Sequence, residues 1–152
     1  MINWVILSGL IFSSSVFASN FPVKPDPQVT FGDYCSPDDP HFDGYRYPER
    51  IAHCARTKNA SNKRRAYELY NVPTRCRREY TVDHFIPLSM GGSNALENLW
   101  PEHRNVKATR QNLENEIFDD LAAGLMEQAE AVNIIIEAKM NPPVPIESSS
   151  CD

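Results

Sequence analysis

The chain is short of long hydrophobic runs. Trp4 to Phe17, its apolar leader, falls below the ~20 residues that a membrane-spanning helix needs. No two of its four cysteines have CxxC spacing, which argues against a redox motif or a zinc knuckle. No internal repeat is visible, and glycine is scarce, with six against twelve prolines, so irregular connecting segments are expected rather than a repeat array. Positive charge is also lacking overall: the net charge is -5, which at face value disfavours a nucleic-acid partner.

What is present fits a small globular protein. With 152 residues, 23% of them charged and 41% hydrophobic, the chain can build one domain with a real core. Residues 1–18 carry no charged side chain, and Val16 and Ala18 stand at -3 and -1 of a cleavage site before Ser19. That segment is expected to be a secretory signal peptide, although it lacks the usual positive n-region. The cleaved protein would be secreted or periplasmic, without stable membrane association, and a monomer. In an exported chain an even number of cysteines favours two disulfides. Three pairings of Cys35, Cys54, Cys76 and Cys151 are open; the working expectation is Cys54 with Cys76 and Cys35 with Cys151.

Local patterns predict an α+β fold. Residues 19–140 are expected to form a single domain with a loop-rich arm over 19–50, followed by a Ser/Pro tail over 141–152. Ile51 to Ala55 reads as a short helix, and Ser61 as the cap of a helix through about Tyr70 with Ala66, Leu69 and Tyr70 inward. Glu79 to Pro87 and Leu96 to Pro101 read as strands joined by the Gly91-Gly92 turn. A longer helix follows from about Asn105, with Leu113, Ile117, Leu121 and Leu125 on one face and Gly124 at its end. A last helix spans Glu127 to Met140, with Ala131, Ile134, Ile135 and Ala138 inward.

Charge is unevenly spread. Between Arg56 and Arg78 stand eight basic residues (Arg56, Lys58, Lys63, Arg64, Arg65, Arg75, Arg77 and Arg78) and one acid, Glu68, a net +7. Residues 111–152 hold nine acids and one base, Lys139, a net -8. The total charge is therefore a poor guide to the partner. The basic stretch, with Lys63, Arg64, Arg65, Arg75, Arg77 and Arg78 as candidate contacts, suits a phosphate backbone.

That stretch runs into Tyr80 to Glu114, YTVDHFIPLSMGGSNALENLWPEHRNVKATRQNLE. Asp83 and His84 sit side by side at the end of a predicted strand. Asp83 is a carboxylate suited to a hard cation, and His84 an imidazole able to deprotonate water if its tautomer is fixed. Strand neighbours point to opposite faces, so the two can serve one reaction only if the strand ends or bends there.

Taken together, Asp83-His84, Pro87-Leu88, Gly91-Gly92-Ser93-Asn94 and Asn98-Leu99-Trp100-Pro101-Glu102 resemble the HNH endonucleases, the ββα-metal or His-Me finger nucleases. The likeness is to the exported bacterial variety with a DHxxPLxxGGSN…NLWPE core. It is sharp over about 35 residues, with the core motif over about 77–122. It implies a small ββα-metal core, two short antiparallel strands plus a helix, wrapped by further helices.

It also implies roles. His84 would be the general base, Asp83 the acidic metal ligand, and Asn98 the residue that braces the turn and helps orient the base. The last ligand slot, nine residues after Asn98, holds Lys107 instead of His or Asn, leaving His103 or Asn105 as the second ligand. The family's zinc knuckle is absent, and disulfides would replace it. The implied activity is metal-dependent hydrolysis of DNA, with RNA as an alternative polymer and little sequence preference. The ion would be Mg²⁺, with Mn²⁺ or Zn²⁺ as alternatives. A catalytically degenerate nucleic-acid-binding module of the same fold is the competing expectation.

Overall fold

Two antiparallel strand pairs and four helices make up the α+β fold of the computed structural model, which describes residues 21–147 and 151. The signal segment expected over 1–18 lies outside the described residues. Among the described residues no helix is long and apolar enough to cross a membrane.

The first strand pair, β1 (Phe42–Arg46) and β2 (Ile51–Cys54), replaces the helix expected at Ile51 and places a strand inside the arm. Ile51 and Cys54 are buried while Ala52 and His53 are half-buried, a pattern too short for the periodicity to declare itself. Helix α1 (Ala60–Leu69) is capped by Asn59, whose side chain accepts from the backbone N–H of Ser61 and Asn62 at 3.0 and 3.1 Å; Ser61 is inside the helix. Ala66 and Tyr67 face the core, and Leu69 is exposed, correcting its expected place.

The central ribbon pairs β3 (Tyr80–His84) with β4 (Leu99–His103) in register Tyr80 to His103, Asp83 to Trp100 and His84 to Leu99. Pro101 is tolerated because β4 has a partner on one side only. Residues 96–98 form a tight helical turn rather than the start of that strand. The single long helix expected after Asn105 is two: α2 (Arg104–Ala108) and α3 (Leu113–Ala122). Thr109 closes α2 by donating its hydroxyl to the Val106 carbonyl at 2.7 Å, a local bond that competes with helix continuation. Leu125 then falls beyond α3 and is exposed, whereas Gly124, at φ 70°, ends the helix as expected. Helix α4 (Gln128–Met140) buries Ala131, Val132, Ile135 and Lys139.

Two cores flank the ribbon. One joins Ile51, Ile86 and Met90 to Ile117 and Leu121 of α3 and Val132 and Ile135 of α4. The other joins Phe21 and Tyr67 to Tyr80, Trp100 and Val106. The arm is stitched on by polar bonds, including Thr30 Oγ1 to the Leu99 carbonyl at 3.0 Å and the Cys35 N–H to the Gly91 carbonyl at 2.8 Å.

The disulfides are Cys35–Cys54 and Cys76–Cys151, not the expected pairing. The first joins the arm to β2 because Leu88 gathers both cysteines into one small cluster. The second ties the C-terminal end to the segment ahead of β3. In the chain-entropy model loops of 19 and 75 residues contribute about 3 and about 4–5 kcal/mol.

The turn after β3 admits no side chain at Gly92, where a Cβ would lie 1.9 Å from the Ile86 carbonyl oxygen, a backbone atom that cannot swing aside. Gly92→Ala should therefore cost at least ~1–3 kcal/mol in urea unfolding. A variant as stable as the parent would show that this loop is not packed as described.

Candidate active site

His84 is the last paired residue of β3, and the loop behind it is held shut by Asn98. The Asn98 amide accepts from the Ile86 N–H at 2.8 Å and donates to the Ile86 and Ser93 carbonyls at 3.0 and 2.9 Å. It is fully buried, so it acts as a brace and a positioning residue; a substrate cannot touch it.

The imidazole itself is held by Asn94, which the motif contains but which sequence reasoning did not assign. Asn94 Oδ1 lies 3.4 Å from His84 Nε2, and its Nδ2 donates to the Ala55 carbonyl at 2.9 Å. With the amide oriented by Ala55, only its oxygen faces the ring. Nε2 must then carry the proton, which leaves the Nδ1 lone pair as the basic site. Burial pushes the His84 pKa down. The Asn94 bond and the Asp83 charge oppose that, while Arg56 and Lys139 add to it, so the ring is neutral at pH 7.

Asp83 points to the other face of the ribbon, which it shares with Glu102 of β4 because Thr81 pairs with Glu102 and Asp83 with Trp100. Asp83 Oδ1 accepts from the His84 N–H at 2.9 Å, and Oδ2 accepts from Lys107 Nζ at 2.7 Å. Lys107 also lies 3.7 Å from Glu102 Oε2, and Arg110 pairs closely with Glu102 Oε1. From beneath, buried Lys139 of α4 donates to the His84 carbonyl at 2.6 Å and pairs with Glu114 at 2.9 Å.

These contacts fix the protons. Burial alone would raise the Asp83 pKa, but Lys139, Lys107 and a hydrogen bond from Glu102 hold it well below the usual carboxylate range. Glu102 is pushed up to about 8 by burial and then by Asp83, against the pull of Arg110 and Lys107, so at neutral pH it is the protonated partner. Lys107 stays an ammonium: burial opposes its charge, but Asp83 outweighs that.

The expected metal ligands do not converge. His103 is on the face opposite Asp83 and three residues farther along β4 than Asp83's partner Trp100, about 10 Å by strand rise. It is buried against Phe21, ring centroids 4.1 Å apart, and its Nδ1 accepts the Asn105 N–H to cap α2. The Asn105 side chain turns away to donate to the Glu147 carbonyl at 2.8 Å. Among the described residues no group of three His, Cys, Asp or Glu side chains could hold a metal ion. The residues at Asp83 do not fit the divalent ion that the resemblance implies, because the Lys107 ammonium is already seated on the carboxylate.

Two adjoining clefts, of about 370 and 420 Å³, lie along β3 and share Arg56, Lys63 and Val82. The first is completed by Lys58, Asn62, His84 and Asn94, the second by Asp83, Lys107 and Glu114. Of the expected phosphate contacts, Lys63 lines both clefts. Arg64, Arg65, Arg75, Arg77 and Arg78 line neither: Arg64 pairs with Glu68, Arg77 stacks on Tyr67 and Arg78 pairs with Glu79. Arg56 and Lys58 were visible in the basic run, and Glu102 and Lys107 in the motif. Only the fold reveals their convergence.

The Glu102 proton has a measurable consequence. Between about pH 4.5 and 8 the folded state keeps this proton and the unfolded state has lost it. Stability therefore falls with rising pH by up to ~1.4 kcal/mol per unit from this group. Glu102→Gln, which retains a donor toward Asp83, should flatten that decline in urea midpoints. An unchanged slope would put the proton elsewhere. Comparison of the chain with family models, curated proteins and solved structures finds no match, so the site rests on its own geometry.

Proposed function

We propose that this protein is an exported endonuclease that hydrolyses phosphodiester bonds of DNA, and of RNA by the same chemistry, with little sequence preference. The observation that carries this reading is the neutral His84, its Nε2–H committed to Asn94, on the wall of a cleft lined by Arg56, Lys58 and Lys63. Water loses a proton to His84 Nδ1 as its oxygen attacks phosphorus. The arginine and lysine side chains hold the non-bridging oxygens and bear the charge that develops on them. Backbone contacts of this kind position a strand without reading bases. Two disulfides and the charge-free leader support a secreted or periplasmic location after signal cleavage. The Lys107–Asp83 pair favours a second reading, a binding module of the same fold that has lost turnover.

Plasmid nicking with Mg²⁺ present separates the two, since only the enzyme converts supercoiled DNA. In the enzyme reading His84→Ala slows cleavage by ~10²–10⁴-fold and leaves DNA affinity nearly unchanged. A variant that cuts like the parent removes His84 from the mechanism. The acid limb of the rate profile should fall through a pKa below 6.5, because burial depresses His84 and the base form survives into mildly acidic solution. A limb at or above 6.5 would contradict the assignment. Replacing Arg56 and Lys63 with Ala should reduce the log-log salt slope of binding by about 2. Replacing Arg64 and Arg65 should change it less.

A further inference from the structure

We propose that Lys107 is a catalytic residue: its ammonium, clamped on Asp83, contacts the scissile phosphodiester from the Asp83 side of β3 and supplies the positive charge that would otherwise need a divalent ion. The inference rests on the nuclease reading above and goes beyond it, to a site that cuts without metal.

Three observations carry it. Lys107 Nζ sits 2.7 Å from Asp83 Oδ2 and 3.7 Å from Glu102 Oε2, the two carboxylates that β3 and β4 themselves place on that face of the ribbon. The remaining oxygen of Asp83 is taken by the His84 N–H at 2.9 Å, and the cluster is already met from within by Lys139 and Arg110. A divalent cation would therefore have to enter beside three fixed positive charges and displace one of them. Unlike buried Lys139, Lys107 keeps half of its side chain exposed and lines the cleft it shares with Arg56 and Lys63. A phosphate spanning β3 would meet His84 on one side and Lys107 on the other.

The step balances without a co-reactant. Water gives its proton to His84 Nδ1 and its oxygen bonds to phosphorus. The bond from phosphorus to the ester oxygen breaks. The departing oxygen leaves facing the Lys107 ammonium and takes its proton from solvent, yielding a phosphomonoester and a hydroxyl. Lys107 remains charged throughout and stabilises the transition state electrostatically.

The test compares plasmid cleavage by the wild-type protein in Mg²⁺ and in excess EDTA. The proposal expects rates within about threefold of each other, and a ~10²–10³-fold loss in Lys107→Ala under both conditions, with Lys107→Arg retaining part of the activity. Cleavage in Mg²⁺ that EDTA abolishes overturns the proposal and leaves the nuclease reading standing. No cleavage in either condition sinks the nuclease reading. A second measurement needs no turnover: Mn²⁺ binding to the wild-type protein and to Asp83→Asn, followed by electron paramagnetic resonance. Absence of a Mn²⁺ site at millimolar concentration supports Lys107 as the resident charge. A site that Asp83→Asn removes overturns it.

Discussion

Two carboxylates buried side by side on one face of a two-stranded ribbon govern how the rest of this molecule is arranged. Asp83 and Glu102 are brought to one face by strand register, and both are buried there. At an effective dielectric near 20, two unit charges about 4 Å apart interact by ~4 kcal/mol, so the pair is tolerable only if it is neutralised. One answer is chemical, since Glu102 keeps its proton. The other is architectural: Lys107 from α2, Arg110 from the break after it and Lys139 from α4 all converge on this spot. The break between α2 and α3 separates Arg110, turned onto Glu102, from Glu114, which meets Lys139. Helix packing behind the ribbon is thus dictated by charge as much as by the apolar faces of α3 and α4.

The same alternation that buries the carboxylates frees the histidine. Because Asp83 and His84 are neighbours in a strand, committing Asp83 to the cluster turns His84 to the opposite face, where Asn94 and the connection between β2 and α1 receive it. The Lys139 bond to the His84 carbonyl and the Asn98 brace on Ile86 hold the end of β3 from two directions. Two adjoining clefts along the strand share Arg56 and Lys63, with His84 lining one and Asp83 and Lys107 the other. In the proposed nuclease reading, a phosphodiester would lie over the end of β3, between His84 and Lys107.

Much of this was legible in the residues. The Gly91-Gly92 turn announced itself because only glycine fits against the Ile86 carbonyl. The ribbon and the Gly124 helix stop followed from local chemistry. Other features were hidden because they depend on distant partners. Four residues at Ile51 are too few to distinguish strand from helix, and the pairing of Cys35 with Cys54 depends on Leu88 drawing both into one cluster. His103 looked like a ligand because it follows the motif closely, but strand parity sends it to the far face against Phe21. Lys107 looked like a missing ligand, and the fold seats its ammonium on the Asp83 carboxylate.

The central claim is that one phosphodiester bridges the end of β3, touching His84 and Lys107 together. Its most direct test is a titration with a cleavage-resistant phosphorothioate oligonucleotide, following the side-chain nuclear magnetic resonance signals of both residues. The account predicts that the His84 ring and the Lys107 Nζ signals shift with a single shared affinity, and that Arg64 and Arg65 on the exposed face of α1 respond weakly. Perturbations centred on α1 or on the Thr74–Glu79 turn, with His84 and Lys107 unmoved, would contradict it.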